Sequence, residues 1–306
     1  MHAVEMLENL TPTRDRNTVR IAGVDFDAID AESVLESICS WRDAGQRGYI
    51  SLVNPHSVML CERDQEMQAA VQGSTLILPD GIGISLGAAL LSCDQCGRLS
   101  GPELMLHICD QGRHYGLTHY FYGGEEGVAE KLAENLSRRY FGLKVVGCYS
   151  PPFRAMSDEE DAAEVARINA KRPAILWVGL GAPKQEKWMA SHAGRIAATT
   201  MIGVGAAFDF HSGNRPWCPA PLRSAGLEWA YRLACEPRRL WRRNIDSFLF
   251  LGLVASQFLA TLGRQRTNQR KLPGIRMPLP AARAKSNRLT VMKVRRSTGS
   301  AIMNSR

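Results

Sequence analysis

The sequence predicts an α/β fold: a mostly parallel, Rossmann-like sheet with helices on both faces, then a C-terminal helical appendage and a disordered basic tail. Three observations predict it. Short apolar runs of strand length recur at 49–53, 75–78, 119–122, 175–178 and 201–204. Stretches with helical periodicity, about 10–15 residues long, separate several of them, as the crossovers of a parallel sheet require. Glycines and polar residues stand directly after the runs, at the strand ends where such sheets bind ligands.

Taken in order, residues 19–26 read as a strand. Residues 31–41 read as a helix capped by Asp30, with Val34, Ile38 and Trp41 on one face. A helix over about 57–71 follows the strand at 49–53. The strand at 75–78 ends in Pro79-Asp80-Gly81, where a further helix starts. The strand at 119–122 is broken by Gly123-Gly124, and the next helix carries Val128, Leu132, Leu136 and Tyr140 at i+4 spacing. A strand at 143–146 follows. Beyond Phe210 a loop rich in Pro and Trp (214–221) leads to helical sequence from about 222. That helix ends near Cys235, ahead of Pro237, and another runs over about 238–262. The expected organisation is a flexible N-terminus (1–18), an α/β core (19–221), a membrane-associating appendage (222–263) and the tail (264–306).

The chain has 306 residues, 45% of them hydrophobic and 22% charged, as expected of a globular protein with a sizeable core. Its first twenty residues are polar and mixed in charge, so no secretory signal is read there. The cysteines form no repeating framework, and Cys93-x-x-Cys96 lacks the second pair a zinc site needs, so no metal is expected. The net charge is +8, yet Ser247 to Arg306 contains twelve Lys or Arg and no acid, which leaves −4 on the body. The basic tail suits an anionic membrane, and the acidic body offers no nucleic-acid groove.

The densest chemical signal is Val178-Gly-Leu-Gly-Ala-Pro-Lys-Gln-Glu186. Strand, glycine turn and helix start aim backbone N–H groups at a phosphate, and Lys184, Gln185 and Glu186 set polar side chains at the same mouth. Glycine in a tight turn is also a steric need, so Gly181 and Pro183 alone decide nothing. Asn54, Asp80 and Asp209 follow strands. Asp80 reads either as a general base raised by partial burial or as a helix cap. Arg232, Arg239 and Arg242 share a side if one helical spacing runs through them: a diphosphate clamp, a membrane-facing stripe or a solvated face.

Together Leu78-Pro-Asp-Gly-Ile-Gly83, Arg98-Leu-Ser-Gly101, Phe121-Tyr-Gly-Gly124, the 178–186 turn, Gly203-Val-Gly-Ala-Ala-Phe-Asp209, Glu228-Trp-Ala-Tyr-Arg-Leu233 and Glu236-Pro-Arg-Arg resemble the WecG/TagA/CpsF glycosyltransferases, glycosyltransferase family 26. The resemblance implies an inverting, metal-independent transfer without cofactor, from a UDP-sugar to a polyprenyl-diphosphate-linked saccharide at the cytoplasmic membrane face. It implies Asp80 as general base, with Asn54 and Arg98 beside it. Gly124, Gly181, Pro183, Lys184, Gln185, Glu186, Asp209 and the arginines Arg232, Arg239 and Arg242 would bind the donor. Two positions depart from the family: Leu52 stands where Thr is usual, leaving Ser51 or Asn54 to make the polar contact, and Glu103 stands where Asp is common. The apolar 248–262 helix reads as interfacial, or as packed on the body or in a homo-oligomer. A nicotinamide-dependent oxidoreductase fits less well, because no Gly-x-Gly-x-x-Gly follows a strand with an acid about 20 residues on. A non-catalytic nucleotide-sugar-binding scaffold is the alternative from another class.

Overall fold

The computed structural model describes residues 17–91 and 99–270. The expected flexible N-terminus up to residue 16, Cys93, Cys96, Arg98 and the tail beyond 270 lie outside the described residues. One compact unit runs to Arg264.

Its centre is a parallel sheet of β3 (Gly48–Val53), β4 (Leu76–Pro79), β5 (Thr118–Gly123), β6 (Lys144–Tyr149), β7 (Ile175–Gly179) and β8 (Thr200–Gly203), in the order β4-β3-β8-β7-β5-β6. Every pairing in it is parallel, so all the C-terminal strand ends meet along one edge. Side chains alternate across it as a strand demands. Phe121 and Trp177 enter one core with Leu104, Ile108 and Phe208. Tyr120, Tyr122, Leu176 and Val178 enter the opposite one with Met189 and Met201.

The strand expected over 19–26 is instead a hairpin, β1 (Thr18–Ile21) and β2 (Val24–Asp27), reversed at Ala22-Gly23 where Gly23 has φ 82°. Buried Asp27 accepts a 2.7 Å hydrogen bond from Ile77 N, which satisfies part of the outer edge of β4.

Helices α1 (Ala31–Asp43), α2 (Pro55–Arg63), α3 (Gln65–Gln72), α4 (Ile82–Leu90), α5 (Gly101–Gln111), α6 (Val128–Arg139), α7 (Asp158–Lys171), α8 (Lys184–His192) and α9 (Ala207–Ser212) flank the sheet. The single helix expected over 57–71 is split into α2 and α3. Asp64 leaves helical geometry (φ −137°, ψ 104°) and its carboxylate caps Glu66 N and Met67 N, starting a new helix rather than extending the old one. Sequence periodicity passed over α7, although its Ser157/Glu160 capping box is written in the chain.

The appendage comprises α10 (Ala220–Ser224), α11 (Glu228–Cys235) and α12 (Pro237–Arg270). α12 starts where Pro237 allows and runs past the expected end at 262. Phe250 and Val254 on its inner face join a core with Ile21, Val58 and Ile84.

Candidate active site

Asn54 and Asp80 leave β3 and β4 side by side. Asn54 caps α2: its Oδ1 accepts from Ser57 N at 3.0 Å and from Ser57 Oγ at 3.3 Å. That fixes the amide so that Nδ2 is the group left to face Asp80 Oδ2, at 3.4 Å. Asp80 does not cap the following helix. The cap position is Gly81, at φ 83°, with no side-chain bond, and the Asp80 carboxylate instead accepts from Gly101 N at the start of α5. Part of the Asp80 surface opens to a cavity while protein crowds its other sides. Loss of solvation is therefore the largest influence and raises its pKa; Asn54, Arg232 and Arg243 oppose it without cancelling it.

The cavity holds about 340 Å³, enough for part of a substrate rather than a whole nucleotide-sugar pair. Asn54, Asp80, Ser100, Arg232 and Arg243 supply its polar surface, with His56 and Asn244 in the wall. Leu86, Trp229, Phe248 and Leu251 line it with apolar surface. Trp229 and Phe248 are 47% and 65% exposed, so apolar groups form a lip open to solvent.

The arginines are the clearest departure from expectation. Arg232 lines the cavity, with its guanidinium 5.3 Å from the Phe210 ring centre. Arg242 does not: it is exposed on α12 and lies over the Trp241 ring at 5.3 Å. Arg243 takes the inward place. Burial and its neighbours Arg232 and Arg239 hold the Arg243 pKa below the usual value, while Asp80 and Glu186 partly offset this. The reason is the break between helices. Glu236 is non-helical (φ −135°, ψ 60°), so a spacing counted from Arg232 does not carry across it. Counted from Pro237, Arg239 and Arg243 are i,i+4 partners on one face.

Arg239 and Asp209 belong to a neighbouring ionic chain. Asp209 Oδ2 pairs with Arg215 Nε at 3.1 Å, and Asn214 Nδ2 donates to its Oδ1 at 3.0 Å. Arg215 also pairs with Glu236, which pairs with Arg239 Nε at 2.5 Å. Sequence reasoning missed Arg215, which joins the strand-end loop to the helix break. A lone Arg in a Pro/Trp loop gives little signal.

The glycine turn lies at the same sheet edge, one strand beyond β8. Gly124 N donates to Gly179 O at 3.0 Å, and a Cβ on Gly124 would stand 2.8 Å from Val128 Cγ1. Gly181 has φ 75° and Pro183 is the cap residue of α8. Of the three polar side chains expected at this mouth only Lys184 is exposed. Gln185 and Glu186 are buried because they fall on the face of α8 that packs on the sheet. Gln185 Oε1 accepts from Gly181 N at 3.2 Å and its Nε2 donates to Glu186 Oε1 at 2.8 Å. Burial raises the Glu186 pKa. These two residues shape the turn from beneath it.

The departure at Leu52 has a plain consequence: the side chain is buried in the core with Leu78 and Phe121. Ser51 is buried too, its Oγ accepting from Ser74 Oγ at 2.8 Å. Of the two candidates for the missing polar contact, only Asn54 lines the cavity. Glu103 keeps its charge but uses it at the start of α5, accepting from Ser100 Oγ at 3.0 Å and pairing with Arg223 at 3.4 Å. Among the described residues no group of three or more His, Cys, Asp or Glu is arranged to hold a metal ion.

A family model described as the glycosyl transferase WecG/TagA/CpsF family matches residues 19–264. The chain belongs to this family. Among relatives of the WecG/TagA/CpsF protein, an N-acetylglucosaminyldiphosphoundecaprenol N-acetyl-β-D-mannosaminyltransferase of Bacillus spizizenii is 27% identical over 251 residues, 80% of this chain and 95% of that one. Proteins with the same description match from Bacillus subtilis, 29% identical over 197 residues (64% and 75% of the two chains), and from Staphylococcus aureus, 28% over 236 residues (76% and 91%). The family assignment makes this chain a glycosyltransferase, and the sheet edge with its cavity is where the chemistry is to be sought.

Proposed function

We propose that this chain transfers a sugar, of the N-acetylmannosamine type or a related hexose, from a UDP-sugar to a polyprenyl-diphosphate-linked saccharide in bacterial surface-polymer synthesis. The relatives' descriptions, which name an undecaprenol-diphosphate acceptor and a mannosaminyl group, support the acceptor and the sugar class. The observation that carries the reading is Asp80: a carboxylate with raised pKa, open to a cavity that it shares with Arg232 and Arg243 under an apolar lip.

In this mechanism Asp80 takes the proton of the acceptor hydroxyl as its oxygen bonds to the anomeric carbon. The bond from that carbon to the diphosphate breaks with inversion, and UDP leaves with the electron pair. Arg232 and Arg243 offset the charge that builds on the diphosphate. Base catalysis of this kind contributes ~10²–10⁴-fold. Asn54 orients the base. Gly181, Pro183 and Lys184 form the turn that receives the nucleotide side, with Gly124 bonded at its start and Gln185 and Glu186 bracing it. Asp209 and Arg239 act through the Arg215–Glu236 chain beside it. Neither a metal nor a cofactor is required by this reading.

Apolar surface around the cavity suits an acceptor whose diphosphate enters from a bilayer. By length and composition Pro237–Thr261 suffices to cross a membrane, and little of its most apolar stretch is buried. Yet Phe250, Val254 and Gln257 commit one face of α12 to the body. A helix so engaged lies at the interface, with Trp241, Ile245 and Phe248 outward, and the chain is peripheral on the inner membrane face.

Asp80→Asn separates transferase from scaffold. The expected result is loss of transfer to a polyprenyl-diphosphate acceptor with UDP binding retained; unchanged turnover would refute Asp80 as base.

A further inference from the structure

Arg243 and Asp80 line the same cavity, and α12 is fastened one turn further along. The Asp246 side chain is 8% exposed and pairs with His56 Nδ1 at 2.6 Å and with Arg63 Nη2 at 2.8 Å. Both partners come from α2, the helix that Asn54 caps, and His56 is itself part of the cavity wall. A buried carboxylate is costly to keep unless it is paired and hydrogen-bonded. This one is paired twice, to one helix.

The other anchors of α12 are of a different kind. Phe250 and Val254 pack over Gly87 and Ile21. Gln257 accepts from Ala22 N at 2.9 Å and donates to Arg20 O at 2.8 Å. Residues 243, 246, 250, 254 and 257 thus form one face at helical spacing. Apolar contacts hold that face down but tolerate small rotations; charge-assisted bonds to two fixed groups do not. Rotation matters here because Arg242 and Arg243 stand about 100° apart around the axis. Even a fraction of that turn would carry Arg243 away from the cavity it lines.

We infer that Asp246 is a positioning residue: its bonds to His56 and Arg63 set the rotation of α12 so that Arg243, rather than Arg242, enters the cavity beside Asp80. Neither Asp246 nor His56 falls within the motifs that carry the family resemblance. The inference rests on reading the cavity as a diphosphate site, so its test keeps the two ideas apart.

Two measurements on the full-length protein do this: backbone amide hydrogen exchange over residues 240–250, and calorimetric binding of inorganic pyrophosphate. Asp246→Asn should speed exchange in that segment while the sheet stays protected, and weaken pyrophosphate about tenfold. Arg63→Gln, on the solvent side of the clamp where folding is spared, should do the same to a smaller degree. Asp246→Asn placed on Arg243→Gln should cost no further affinity, since both act through one guanidinium. Unchanged exchange in both single variants overturns the clamp, as does an Asp246→Asn loss that adds in full to that of Arg243→Gln. A wild-type protein that ignores pyrophosphate sinks the diphosphate reading instead, and exchange then decides the clamp alone.

Discussion

Asn54 and Asp80 face each other across β3 and β4, the amide of one 3.4 Å from the carboxylate of the other. The pairing is a product of sheet register: Val53 lies beside Pro79 in the parallel ladder, so the residues after them emerge together. A cap for α2 and a partner for the base are thereby combined in one side chain, and the two roles separate by mutation. Asn54→Ser keeps a good cap oxygen and loses the donor to Asp80. The fold should keep its stability. Because the Asn54 bond lowers the Asp80 pKa, its removal raises that pKa, and the acidic limb of the kcat/KM profile should move to higher pH. An unmoved limb would show that Asp80 does not govern it.

Arg243 and Arg242 make opposite predictions from adjacent positions. Arg243 is half-buried in the cavity it shares with Asp80, and Arg242 lies outward over Trp241. Charge-assisted hydrogen bonds contribute ~1.5–3 kcal/mol, so Arg243→Gln should lower kcat/KM about 10- to 100-fold. Arg242→Gln should change it less than about threefold. Steady-state kinetics with the two variants side by side gives the answer, and the reverse order would mean that Arg243 is not the guanidinium that meets the diphosphate.

The same pair shows what the chain discloses before it folds. Which residues leave the strand ends was legible, because apolar runs and the glycines that stop them are local. Thus Asn54, Asp80 and the 178–186 turn were readable together with the parallel sheet. Which arginine enters the site was not, because it depends on how one helix ends and the next begins. The warning was present in Glu236-Pro237, a break through which the spacing cannot be counted. Burial of Gln185 and Glu186 was hidden for a related reason. α8 has an inner face only because β3, β7 and β8 lie under it, and polar residues at a helix start read as solvent-facing without that knowledge. Asp246 drew no notice, since its partners are about two hundred positions away in the chain.

Acid should weaken the fold through His119. This imidazole is fully buried and stacked on Trp177, whose Nε1 donates to its Nδ1 at 3.1 Å. Burial holds its pKa down to about 4. A histidine depressed on folding contributes stability that is full above its unfolded pKa, about 6.5, and is lost as pH falls through the folded value. The linkage is on the order of 3 kcal/mol. In urea titrations the advantage of wild type over His119→Gln should therefore shrink by roughly that amount between pH 7 and pH 4. Comparing the two proteins cancels the opposite contributions of Asp80 and Glu186, whose raised pKa values favour the folded state on acidification. A difference independent of pH would mean that His119 titrates alike in both states.

The apolar lip leads to a prediction about where the acceptor comes from. Trp229 and Phe248 line the cavity yet remain largely exposed, which is costly for a protein that meets only water. Burying such a side chain stabilises by ~1.5–3 kcal/mol, so each should add to docking on a bilayer. Phe248→Ser and Trp229→Ser leave the polar floor intact, and each should weaken sedimentation with anionic phosphatidylglycerol vesicles about tenfold. Transfer to a long-chain polyprenyl-diphosphate acceptor in those vesicles should fall in step. Transfer to a short-chain, water-soluble acceptor should hold, because the diphosphate and the base are untouched. If both acceptors suffered equally, the lip would be part of the saccharide site, and the membrane would have to be met by another face of α12.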